Sequence, residues 1–172
     1  GVWRGAWSLR PVWEDEAVFA EIPAYRQFLV HARSASFPGQ KGKLAFNQPF
    51  IGEREAFVFN GMLRGVALDR PVAGEIGAQK IWNLFESLPP GGDIRDRFSA
   101  LVQTLERASR EISAWNLGLA GKGGFRAYCR SGGPGEYYRL RAAESSGLRM
   151  VCSEPLAGFD FRPFPLDMVV SI

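Results

Sequence analysis

Three observations predict an α+β fold: two helical periodicities sit side by side in the middle of the chain, turn-separated aromatic and branched runs occupy both flanks, and no repeat or low-complexity linker divides them. With 172 residues, 46% of them hydrophobic, the chain is long enough for one domain, 1–172, with a substantial core. Its 21 Lys and Arg and 18 Asp and Glu are scattered, so the net charge of +3 marks no basic patch and nucleic acid is not an expected partner. Cys129 and Cys152 lie in apolar segments without CxxC spacing, and no signal peptide or long apolar span is present. The expectation is a cytoplasmic protein with no membrane partner, the two thiols packing as small buried hydrophobes. One His and dispersed carboxylates predict no metal site, and no cofactor is expected.

The elements follow in order. Residues 14–22, "EDEAVFAEI", predict a short helix that Pro23 helps to end. "YRQFLVHAR", 25–33, is aromatic and branched at its centre and predicts a strand; the Gly, Pro and Ser of 34–46 predict a loop. "REAFVFNGMLRGVAL" predicts a hairpin turning at Asn60-Gly61, because both central residues of a type I′ turn need positive φ. Ile81, Trp82, Phe85 and Leu88 share one face of a helix over 78–88 that "PPGGD" closes. Ile94, Phe98, Leu101, Leu105, Ala108 and Ile112 repeat at helical intervals behind Asp93, a good N-cap. The remainder is β: "WNLGLAG", a Gly-rich turn at 121–124, "FRAYCRS", "EYYRLRAAES", "GLRMVCS" and "DMVVSI", spaced as an antiparallel meander. "GKGG" at 121–124 lacks phosphate-loop spacing and predicts a hairpin turn.

Four short patterns carry more specific information. "HARSAS" (31–36), "FNQPF" (46–50), "FVFNGML" (57–63) and "VCSEPL" (151–156) resemble, in that order, the landmarks of class II glutamine amidotransferases, which are N-terminal-nucleophile hydrolases. The resemblance covers about residues 25–172 and implies a four-layer αββα sandwich of antiparallel sheets, here lacking its first strands. The N-terminal "VWRGAWSL" looks like the family's Gly-Trp-Gly strand. Matched position by position, Arg33 takes the place of the arginine that pairs with the α-carboxylate of glutamine, where a planar guanidinium can donate two parallel hydrogen bonds. Asn60 and Gly61 match the oxyanion pair, the candidate catalytic residues, where removing one donor typically costs about 3–4 kcal/mol of transition-state stabilisation. His31 and Gln48 join Arg33 as candidate substrate-binding residues.

The departures from the family pattern are equally specific. The family nucleophile is a cysteine at the first position of the mature chain, whereas this sequence begins with Gly1. "GAQKIW" (77–82) aligns with the family's Asp-Ser-Glu helix start and puts Gly77 where an aspartate holds the substrate ammonium. Phe59 replaces His before Asn-Gly, and Gln48 replaces His in "NQPF". The expectation is a domain that has lost ordinary glutaminase chemistry and serves as a binding or assembly subunit, with a protein partner or a second copy. Its small-molecule ligand is expected to be a carboxylate or amide. The alternative is an active amidohydrolase or ammonia-donating subunit whose cysteine lies upstream or in another chain.

Overall fold

The computed structural model describes residues 5–10, 14, 17, 20, 25–33, 37–89, 93–131 and 138–172. Most of the helix expected at 14–22, and the start of "EYYRLRAAES", lie outside these residues. The described chain is α+β. Eight strands, β1 (Phe50–Ile51), β2 (Glu55–Arg64), β3 (Glu111–Gly121), β4 (Gly124–Ser131), β5 (Arg141–Ser145), β6 (Leu148–Cys152), β7 (Arg162–Pro163) and β8 (Val170–Ser171), form two sheets. The larger has the order β1-β2-β3-β4-β8 and the smaller β6-β5-β7, with every pairing antiparallel. Two helices, α1 (Gly77–Glu86) and α2 (Ile94–Ala108), follow β2.

Alternation along β2, β3 and β4 decides what lies on each face of the large sheet. Phe57, Phe59, Trp115, Leu117, Leu119 and Tyr128 point to one side, where Ile81, Trp82 and Phe85 of α1 and Phe98, Leu101 and Leu105 of α2 cover them. The rings of Phe57, Trp82 and Phe85 stack with centroids 5.7, 5.8 and 6.5 Å apart. Such ring pairs add about 0.5–1.5 kcal/mol each beyond the area they bury. On the opposite side Ala127 and Cys129 pack with Leu140, Phe164, Ala142 of β5 and Val151 of β6, so the small sheet covers the β4 end of that face.

Asp93 caps α2 by accepting a hydrogen bond from the Arg95 N–H at 2.9 Å, as expected. The helix stops at Ala108, so Ile112, read as a helical position, belongs to β3 instead. The chain must reverse there to bring β3 alongside β2, and the Arg110 N–H bonds the Arg64 carbonyl at 3.1 Å. The expected turn at 121–124 is present between β3 and β4, with Gly124 at φ +96. Among the described residues of "EYYRLRAAES" the strand begins at Arg141, and "DMVVSI" forms one only at Val170–Ser171.

Two expected strand features are corrected. Asn60-Gly61 is no turn: β2 runs straight through it, with Asn60 opposite Asn116 and Gly61 opposite Trp115. The glycine is needed for space, since a Cβ there would collide with the Ala114 carbonyl and come within 2.6 Å of Trp115 Cα. The true irregularity is a bulge between Met62 and Leu63. Residues 25–33 join no ladder. They cross the second face of the large sheet, Gln27 lying near Gly124 and Leu29 over Gly118 and Val58, while Phe28 (58% exposed) and Val30 (72% exposed) point outward.

α2 is fastened to the start of β2 by a buried ion pair, Arg97 Nη1 to Glu55 Oε1 at 3.2 Å, with side chains 9% and 11% exposed. Arg97 also donates to the Phe85 carbonyl at 3.4 Å and stacks 4.4 Å above the Phe85 ring. Removing one member leaves an uncompensated charge, so Arg97→Met is expected to cost about 3–5 kcal/mol in chemical denaturation, and likewise Glu55→Leu. The double replacement is expected to cost less than either single change, because no charge is then stranded.

Candidate functional site

The structure brings His31, Gln48 and the backbone of Phe59 together at the edge of β2. β1 pairs only with Ala56 and Phe57, in a register where Gln48 falls opposite Phe59. The Gln48 side chain takes over that position as an amide: the Phe59 N–H donates to Oε1 at 2.6 Å, and Nε2 donates to the Phe59 carbonyl at 3.0 Å. Gln48 is 7% exposed, and these two bonds satisfy an amide that would be costly to bury unpaired. The Gln48–Pro49 peptide is cis.

The second hydrogen of Gln48 Nε2 faces His31 Nε2 at 3.3 Å. An amide nitrogen can only donate, so the contact is a hydrogen bond in the neutral tautomer whose proton sits on Nδ1. Burial and then the neighbouring Arg33 charge, opposed by a hydrogen bond with the Phe59 backbone, lower the His31 pKa to about 4. Arg33 reaches Gln40 Oε1 from Nη1 at 3.4 Å, and its buried Nε has no hydrogen-bond partner among the described residues.

The two candidate catalytic residues sit differently. Successive residues of an antiparallel strand direct their N–H and C=O groups to opposite sides. Glu55 and Phe59 turn theirs toward β1 and Gln48, as the Gly52 N–H to Glu55 carbonyl bond at 2.9 Å and the Gln48 pair show. The Gly61 N–H therefore points to the same side, one residue pair beyond Gln48, while those of Asn60 and Met62 point to β3. The Asn60 side chain is exposed on the face away from the helices. His31, Gln48 and the Gly61 N–H thus lie along one strand edge, with the Arg33 charge beside His31, and Asn60 points elsewhere.

The residues that sequence reasoning missed are backbone groups or amides. Phe59 enters through its main chain, while its ring is 9% exposed in the core, which accounts for an apolar side chain at a position expected to be polar. Asn116, opposite Asn60, donates to the Tyr138 carbonyl at 2.7 Å, and its buried Oδ1 has no partner among the described residues. An asparagine amid "AWNLGLA" is the one signal that could have singled it out.

Other chemistry is sparse. Burial pushes both thiols up; Leu140 N–H donates to Cys129 Sγ at 3.3 Å, and Glu154 adds to the rise at Cys152. Cys129 is fully buried as expected, whereas Cys152 is only half-buried. Gly77, aligned with the family aspartate, has nothing within 4 Å of where a Cβ would project. Among the described residues no group of three His, Cys, Asp or Glu could hold a metal ion, and no helix is long and apolar enough to cross a membrane. Comparison with family models, with curated proteins and with solved structures finds no match.

Protonating His31 would set its Nε2–H against the Gln48 amide donor. The unfolded chain takes up this proton near the ordinary pKa of 6.5 and the folded chain only near 4, so the stabilisation is complete above 6.5 and is lost as pH falls toward 4. The wild-type stability, minus that of His31→Gln, is expected to fall through this window by up to about 1.4 kcal/mol per pH unit. Denaturant titrations of both proteins between pH 7 and 4 measure it, and a flat difference would refute the neutral, buried imidazole.

Proposed function

We propose that this chain is a class II glutamine amidotransferase-like domain of N-terminal-nucleophile type that binds a small carboxylate or amide at the β2 edge and serves as a subunit of a larger assembly without ordinary glutaminase turnover. The observation that carries the reading is the register of Gln48 on Phe59. It brings Gln48 of the "FNQPF" pattern and His31 of the "HARSAS" pattern to the strand containing "FNG", with the Arg33 charge beside His31, and it leaves the Gly61 N–H as the next donor along the edge. The layering supports the same reading, with helices on one face of an antiparallel sheet and a second antiparallel sheet on the other.

The proposed ligand chemistry follows from what the edge offers. Arg33 supplies a cation for a carboxylate, and Gly61 supplies an N–H for an amide oxygen. Gly77 supplies no carboxylate for an α-ammonium, and neither thiol is held as a thiolate. A carboxylate that carries an amide but no α-ammonium is therefore preferred over glutamine. The outward Phe28 and Val30 side chains on the second face support the assembly role.

Isothermal titration with 4-carbamoylbutanoate, which is glutamine without its α-amine, tests this. Saturable binding is expected, at least as tight as that of L-glutamine, weakened about tenfold or more in Arg33→Ala, with no ammonia released. Light scattering on the same samples is expected to give a mass above 19.0 kDa. Ammonia release from glutamine that disappears in Arg33→Ala would instead favour the active-enzyme alternative, and binding unaffected by Arg33→Ala would remove the site.

A further inference from the structure

Away from the β2 edge, an open cleft of about 530 Å³ lies between α1 and the preceding loop, lined by Phe50, Gly74, Glu75, Gln79, Trp82 and Asn83. A second cleft of about 380 Å³ shares Phe50 and Trp82 with it and extends past Trp7, Leu44 and Pro49. Together they form an aromatic floor with a polar rim at one end. Their volumes fall in the range of small-molecule sites.

The hydrogen bonds within the rim decide which chemistry it can accept. Asn83 Nδ2 donates to the Ala73 carbonyl at 2.9 Å, and Gln79 Nε2 donates to the Ala45 carbonyl at 3.1 Å. Gln79 Oε1 in turn accepts the Glu75 N–H at 2.9 Å, which closes the first turn of α1. Both lining amides have thus spent donors on the backbone. Each amide keeps a second N–H, and the uncommitted amide oxygen of Asn83 and the Glu75 carboxylate are the acceptors among the lining side chains.

Glu75 already holds an ammonium, Lys43 Nζ at 3.4 Å, with the side chains 71% and 51% exposed respectively. Lys43 also lies 4.9 Å from the centroid of the Phe46 ring. So exposed a pair contributes little to stability and can give way to a better-placed cation. A carboxylate and an amide oxygen beside aromatic rings select a cation that carries N–H donors and an apolar body, since the rings attract positive charge and cover hydrocarbon.

We propose that this cleft binds a primary-ammonium ligand with an aromatic or aliphatic tail, the ammonium at Glu75 and Asn83 and the tail over Trp82 and Phe50 toward Trp7. The site uses none of the residues assigned to the β2 edge, so it stands or falls independently of that reading. Lys43 acts as an internal competitor for Glu75.

Titration with 2-phenylethylammonium tests the proposal, with 2-phenylethanol and phenylacetate as neutral and anionic counterparts, followed by amide and indole shifts in ¹H–¹⁵N spectra. Saturable shifts are expected at residues 74–83 and at the Trp82 indole, with the ammonium binding about tenfold or more tighter than the alcohol. Glu75→Gln is expected to abolish that preference, and Lys43→Gln to tighten binding by removing the competitor. Both positions are exposed, so neither change threatens the fold. Equal response to all three compounds, shifts centred elsewhere, or no saturation would overturn the proposal, as would weaker binding in Lys43→Gln.

Discussion

β2 and β3 remain paired across Asn60 and Gly61, and this uninterrupted ladder orients everything built on the large sheet. Strand alternation then permits one arrangement. Phe57 and Phe59 must meet the helices, Val58 and Asn60 must face away, and the main-chain groups of Phe59 and Gly61 must look toward the β1 side. A single-residue slip would exchange the two faces and place Asn60 in the aromatic core. Gly61 protects the register, because no larger residue fits against Ala114 and Trp115.

Two polar contacts hold β2 at different points, and they differ in kind. Arg97 and Glu55 neutralise each other in a buried setting and couple α2 to the strand's start. Gln48 carries no charge and copies the hydrogen-bond pattern of a neighbouring strand, extending the edge where β1 has ended. The second contact also links the edge to the 25–33 segment, since Gln48 cannot keep both Phe59 bonds and donate to His31 unless the imidazole is neutral. Charge on one exposed-side segment is thereby tied to the order of a strand edge. A ligand that engages Arg33 or the Gly61 N–H would do so beside a surface already fixed by Gln48.

Much of the fold was legible because local signals and tertiary demands agreed. Ile81, Trp82 and Phe85 needed one helical face and found the sheet, and Asp93 capped the helix it preceded. The failures share a cause. Asn60-Gly61 has the chemistry of a tight turn, yet β3 offered ten paired positions to a continuous strand, and those contacts outweighed the local preference. "YRQFLVHAR" has strand composition but lies across a sheet face, where Leu29 fits the gap left by Gly118 and no ladder forms. Ile112 continued a helical period past the point where the chain had to turn back. At the candidate site, Arg33, His31 and Gln48 could be chosen from the sequence, whereas the roles of the Phe59 and Gly61 backbone depend on register, which no residue type announces.

Amide hydrogen exchange at residues 59–63 tests the central claim most directly. With β2 continuous and no described residue paired to its outer edge beyond Gln48, the Asn60 and Met62 amides are expected to be protected by β3, and Gly61 to exchange about a hundredfold or more faster than either. Uniform rapid exchange from Asn60 to Met62 would mean that the pair is a turn after all. Gly61 protection equal to that of its neighbours would mean that its N–H is already bonded and is not offered to a ligand.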